Sequence, residues 1–204
     1  MKVTQVQAQT DEFVYKSNAL KISATAFFGS SFVLSYERML KESISLQITA
    51  GLTAREKDSY RTNPTTNYYT NKDKVFGYSV EGAIRFYLSN DHCPLRGFYA
   101  SPYGRFQNLD FNINTYAATT TGNSYTYQQI EYNLKMYEGG FLFGYQAVFS
   151  DKFLMDMYFG GCLKYSENTK PQWYGDRDYV FDVIEGYDYT GVAPRAGLRF
   201  GMKF

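Results

Sequence analysis

Apolar and polar residues alternate with a period of two along most of the chain, and no stretch carries the 3.6-residue period of an amphipathic helix. The clearest case is the last ten residues. Ala196, Leu198, Phe200, Met202 and Phe204 fall on one face, and Arg195, Gly197, Arg199, Gly201 and Lys203 on the other. Residues 44–55, 78–88 and 153–164 repeat the pattern cleanly, and residues 19–28, 32–40, 97–109 and 136–149 less so. This predicts eight strands. Pro102 has no N–H to give to a ladder, so a bulge or local break is expected within its segment.

The connections carry a second signal. Those near 29–31, 41–42, 89–94 and 150–152 are short, whereas those at about 57–75, 110–128 and 166–190 are long. All three long connections share one parity, so they project from one end of the sheet. Up-and-down barrels that cross a membrane have this arrangement, with short turns on one side and longer loops on the other. An even strand count also places both termini at the short-turn end. Residues 18–204 then form a single barrel domain, preceded by an N-terminal segment, 1–17, read as a signal remnant or periplasmic tail. Its residues Met1 to Gln9 include Lys2 but no apolar run, so an absent or truncated secretory signal is expected.

Alternation alone does not orient the wall, because a lipocalin-type barrel is apolar inside and polar outside. Two details favour the opposite sense. Glycines share the charged face, Gly197 and Gly201 among arginines and Gly140 and Gly144 beside Glu138 and Gln146. Glycine weakens a solvent-facing strand but leaves room in an eight-stranded lumen that side chains must fill. The apolar face is also rich in Phe and Tyr near strand ends, where a membrane barrel carries aromatic girdles. Aromatics make up 19% of the chain, a content that argues against disorder. A mean hydropathy of −0.42 is compatible with lipid contact when only every second wall residue meets lipid.

The expected fold is therefore all-β: an eight-stranded antiparallel up-and-down transmembrane β-barrel with short periplasmic turns and three longer external loops. Its inward charges are Lys21, Glu37, Arg55, Glu81, Arg85, Arg105, Glu138, Asp156, Lys164, Arg195, Arg199 and Lys203. Charges in a narrow interior must interlock, giving a plug rather than a pore. Basic members outnumber acidic ones, so some should meet water near the mouths. Glu37 with Glu81 as an acid/base pair is a weaker reading than paired lumen charge.

The terminal face of Leu198, Phe200, Met202 and Phe204 has the form of an assembly signal read by barrel-insertion machinery. Ser35-Tyr36-Glu37-Arg38, Glu81 to Tyr87 and Gly97 to Tyr103 follow one another in a recognisable order. With Phe143-Gly144-Tyr145-Gln146 and Pro194 to Gly201, they resemble a family of small exported outer-membrane barrels known only as a domain of unknown function. That family is OmpA-like and OmpW-like in architecture. The resemblance spans roughly residues 18–204 and implies a fold and an outer-membrane location in a Gram-negative bacterium, with no catalytic residue.

Net charge is +1, so no nucleic-acid partner is implied. A single histidine, His92, lies in a periplasmic turn, which disfavours His-based catalysis and the common metal sites. Catalytic, cofactor and metal residues are expected to be none. Cys93 and Cys162 are expected to be two free thiols or to give an artefactual dimer. The last long loop offers Trp173, Tyr174, Asp176, Asp178 and Tyr179 as possible external contacts, without the ordered spacing of a calcium loop. Expected partners are outer-membrane lipid, the barrel-assembly machinery and other outer-membrane proteins. The leading function is a non-enzymatic structural or interaction protein, including an accessory subunit of a larger outer-membrane complex. The alternative is a passive transporter or binder of a small hydrophobic molecule, which needs an apolar lumen stretch or a lateral gap. An outer-membrane lipid-modifying enzyme and a soluble lipocalin-like carrier are further, weaker classes.

Overall fold

The computed structural model describes residues 18–63, 66–88, 95–118, 125–150, 152–168 and 188–204. Of these, residues 57–63, 66–72, 114–118 and 125–128 are described by backbone alone. Eight strands run in order: β1 (Asn18–Ser23), β2 (Ser31–Lys41), β3 (Ile44–Asn63), β4 (Thr66–Tyr87), β5 (Gly97–Ala118), β6 (Tyr125–Phe149), β7 (Phe153–Asn168) and β8 (Gly191–Lys203). Each pairs antiparallel with its sequence neighbours, and β1 pairs with β8, so the sheet is a closed up-and-down barrel. The seam is tied at its end by Asn18 and Phe204, whose N–H groups donate to each other's carbonyls at 3.1 and 2.9 Å.

The wall is apolar outside and polar inside. Ile48, Leu52, Phe76, Val80, Phe141, Phe159, Phe200 and Met202 are all exposed on its outer face. Lys21, Ser35, Glu37, Ser45, Gln146 and Asp156 are sealed inside. Three glycines, Gly82, Gly104 and Gly139, lie side by side on the outer face of β4, β5 and β6.

Two segments expected as long loops are largely strand. β3 and β4 pair from Ile44↔Phe86 out to Asn63↔Thr66, and β5 and β6 from Gly97↔Gln146 to Ala118↔Tyr125. In these hairpins the sense of alternation inverts. On β5 the outward Phe98 and Phe106 give way to Asn108, Asp110 and Asn112, while Leu109, Phe111 and Ile113 turn inward and are buried. On β6 the switch comes after Tyr137, with Lys135, Asn133 and Glu131 outside and Met136, Leu134 and Tyr132 inside. On β4 it falls between Phe76 and Lys74, with Val75 inside. These inward residues form an apolar core of their own.

The inversion has the form expected where a wall passes from one solvent to another. An outer face in hydrocarbon takes apolar residues; the same face in water takes polar ones, and the hairpins then bury their apolar side against each other. Aromatic rings mark the boundary: Tyr78–Phe106, Phe106–Tyr137 and Tyr137–Tyr165 centroids lie 6.1, 5.2 and 6.4 Å apart, a continuous run over β4 to β7. From Phe76 to Phe86 at about 3.4 Å per residue and a tilt of about 40°, the apolar band is roughly 25 Å tall, the height of a transmembrane barrel wall.

One local expectation is corrected, and a second is met by the weaker of its two alternatives. The strand read over 19–28 stops at Ser23, and Thr25–Gly29 forms a 3-10 helix, closed by Ser30 in the left-handed region at φ 54°. Ala24 and Ala26 continue the alternation but have little strand preference, so the pattern overran the strand. At Pro102 the expected local break is present, without a bulge. The β4–β5 ladder lapses between Ala83↔Tyr103 and Phe86↔Ala100 and resumes in unchanged register, while Pro102↔Phe141 remains paired on the β6 side. Residues 1–17 lie outside the described residues.

Candidate functional site: the barrel lumen

Inward-facing positions recur every second residue, so the eight strands each deliver polar side chains to a shared axis. They meet in two clusters. The deeper one, toward the short-turn end, is built on Lys21 (β1), Glu37 (β2), Arg85 (β4) and Asp156 (β7). Lys21 Nζ donates to Glu37, and to Gln146 Oε1 at 2.5 Å and Asp156 Oδ2 at 3.0 Å, with Gln47 Oε1 at 3.3 Å. Arg85 donates to Asp156 Oδ2 at 2.8 Å, Gln146 Oε1 at 3.0 Å and Glu37 Oε2 at 3.4 Å. The remaining carboxylate oxygens accept from Tyr87 at 2.8 Å, from Tyr99 at 2.6 Å, and from Ser45. Gln146 Nε2 donates to the Leu95 carbonyl at 2.8 Å, fastening the cluster to the β4–β5 connection. Two cations face two anions in a site closed to water.

The second cluster lies toward the hairpin end. Glu81 accepts from Arg195 and from Arg199 Nη2 at 3.3 Å. Glu138 stands 3.8 Å from both Arg105 Nη1 and Arg195 Nη1. Arg199 links the clusters, with Nη1 3.8 Å from Asp156 Oδ2. Tyrosine faces support the guanidiniums: Arg85 over Tyr99 at 4.2 Å, Arg195 over Tyr103 at 4.4 Å and Arg199 over Tyr158 at 4.3 Å.

Of the twelve charges assigned to the lumen from sequence, nine belong to these clusters. Lys164 is buried nearer the hairpin end, 4.4 Å over the Tyr189 ring, and Lys203 is buried near the short-turn end. Arg55 is the correction. Thr53 is the last buried residue of its face among the described side chains of β3; Arg55 and Glu56 are both exposed. Glu37 and Glu81 occupy different clusters, each held by two cations, and do not form a carboxylate pair.

Choosing formally charged residues missed five of the nine residues that build the deeper cluster. Gln47, Gln146, Ser45, Tyr87 and Tyr99 complete the hydrogen bonding of the deeper cluster, and all sit at inward parity on recognised strands. Parity combined with any polar tip was the available signal. Cys162 is buried in the lumen as a free thiol; Cys93 lies outside the described residues. So do Trp173, Tyr174, Asp176, Asp178 and Tyr179. The end of their loop is pinned through Asp188 Oδ2, which accepts from Tyr132 at 2.8 Å and Asn168 at 2.6 Å. Phe200, Met202 and Phe204 are exposed on the outer wall and Leu198 is half-buried.

No family model and no curated protein matches the chain. Solved structures similar to it include the N-terminal β-barrel domain of Pseudomonas aeruginosa OprF, at 15% identity and TM-score 0.36, covering 93% of this chain and 98% of that one. Acinetobacter baumannii CarO is similar at 8% identity and TM-score 0.43, covering 94% and 98%. CarO2 of the same organism is similar at 10% identity and TM-score 0.40, covering 92% and 97%. Likeness at this level adds no argument to the fold, which rests on the strand pairing: the chain is a closed, eight-stranded, antiparallel up-and-down β-barrel.

Proposed function

We propose that the chain is a non-enzymatic β-barrel protein of a Gram-negative outer membrane, with a lumen plugged by charge, acting as a structural or interaction protein. The observation that carries this reading is the deeper cluster. Lys21, Glu37, Arg85 and Asp156 interlock inside a wall whose outer face is apolar. Such a wall is stable in lipid and exposes too much apolar surface for water. A plugged lumen leaves the lipid-facing wall and the projecting hairpins as the surfaces for partners, which suits an accessory subunit of a larger outer-membrane complex. Assembly machinery reading Leu198, Phe200, Met202 and Phe204 completes the set of proposed partners.

Heat-modifiable gel migration of the detergent-extracted protein tests the barrel. Co-purification from native membranes in gentle detergent tests the role: a reproducible partner supports it, and isolation alone counts against it. The alternative, passage of a small hydrophobic molecule, has one observation in its favour: the wall is interrupted beside the 3-10 helix.

A further inference from the structure

β1 ends at Ser23, and its last pair with β2 is Ile22↔Leu34. Beyond Ala24, whose N–H donates to the Leu198 carbonyl at 2.9 Å, β8 has no strand partner on that edge among the described residues. Its other edge stays paired with β7 as far as Gly191↔Lys164. The 3-10 helix fills this notch only loosely, with Phe27 and Phe28 turned outward, Phe28 being 94% exposed. Behind it lies a cavity of about 280 Å³, lined on the notch side by Thr25, Ser31 and Ala196 and on the lumen side by Arg105, Arg195 and Arg199 with Glu81.

The charge in this cavity is unbalanced. Three guanidiniums share Glu81 and Glu138, and the pairings of Arg105 and Arg195 with Glu138 and of Arg199 with Glu81 and Asp156 are all 3.3 Å or longer. Arg199, 1% exposed, has Nε and Nη1 without a hydrogen-bond partner, and Arg195 Nη1 is in the same state. Buried charged donors are costly to leave unmade, and a guanidinium fork matches a planar or tetrahedral oxyanion.

We propose that this cavity binds an oxyanion, a carboxylate or phosphate, between Arg105, Arg195 and Arg199. The same chemistry serves two sources. A free anion enters from the hairpin end; the head group of an anionic amphiphile enters sideways, leaving its chain over Phe27 and Phe28 in the lipid. The proposal presupposes a lipid-embedded barrel, which heat-modifiable migration checks separately.

The test uses the full chain in nanodiscs of zwitterionic lipid, probed by NMR with carboxyl-labelled oleate, carboxyl-labelled acetate, or inorganic phosphate. A protein-dependent bound resonance is expected for at least one probe. Arg105→Gln, the arginine with the fewest close partners, should weaken it about tenfold, the equivalent of one charge-assisted hydrogen bond. Ala196→Trp, at the rim of the notch, should abolish oleate binding and spare acetate or phosphate. A bound resonance for oleate alone, lost in Ala196→Trp, assigns the site to a lipid head group; a bound resonance for acetate or phosphate that survives Ala196→Trp assigns it to a free anion. Spectra of all three probes identical to empty nanodiscs, or binding unchanged by Arg105→Gln in a heat-modifiable protein, would overturn the site.

Discussion

Lys21 and Asp156, 135 positions apart in sequence, meet inside the lumen with Nζ and Oδ2 at 3.0 Å, and neither has any side-chain surface open to solvent. The contact joins β1 to β7 across β8, so it is made only once the barrel has closed. Asp156 also receives Arg85 at 2.8 Å and Tyr99 at 2.6 Å. Its loss leaves two cations and a phenol facing an apolar side chain.

Asp156→Ala is therefore expected to destabilise the barrel by about 3–5 kcal/mol, the usual result of removing one partner from a buried ion pair. Lys21→Met with Asp156→Leu should lose much less than the two single changes added together, because the pair leaves as a unit. Unfolding of each variant by denaturant titration in lipid vesicles measures both.

Glycines on the two faces of the wall should respond oppositely. A Cβ on Gly201 would strike the Leu20 carbonyl and approach Lys21 Cα within 2.9 Å, both across the β1–β8 seam. Gly201→Ala is expected to weaken seam closure, seen as a lower yield of the heat-modifiable form. Gly82 faces outward with nothing within 4 Å. Gly82→Ala should be neutral or stabilising by about 0.5–1 kcal/mol in the same titration, because alanine loses less backbone freedom in a strand.

The plug should block ions. In planar bilayers the wild-type barrel is expected to show no steady conductance, since the deeper cluster spans the lumen from β1, β2 and β7 to Arg85 on β4. Steady channels of uniform size in the wild type would contradict the interlocked arrangement.

Phe204 occupies the last position of the outer face and is bonded through its backbone to Asn18. Phe204→Lys keeps those backbone bonds while placing a charge where the apolar register ends. Slower membrane insertion in a reconstituted assembly reaction, with unchanged refolding into detergent, is the expected pair of results.

The architecture was legible in the sequence because three independent patterns agreed. The period-two alternation located the strands, loop parity placed the long connections at one end, and glycine beside arginine gave the sense of the wall. The hairpin tips were misread for a physical reason. Asp110 and Asn112 on β5 look like loop composition, yet they are simply the outward face of a strand whose alternation has inverted. Leu109, Phe111 and Ile113 between them carried the signal in inverted sense. In the lumen, formal charge identified the ion pairs but passed over Gln146, which accepts from both Lys21 and Arg85. The notch was not legible, because alternation through Ala24, Ala26 and Phe28 continues past the end of β1.

The central claim is that this wall faces lipid and that its outer boundary is where the alternation inverts. Single spin labels placed in turn along residues 131–149 of β6, in reconstituted bilayers, test it most directly. Accessibility to oxygen should peak at Tyr137, Phe141, Phe143 and Tyr145. Accessibility to a water-soluble nickel complex should take over at Lys135, Asn133 and Glu131. A barrel of the opposite sense, with water against its outer face, would instead show nickel access at Phe141 and Phe143, and that result would contradict the account.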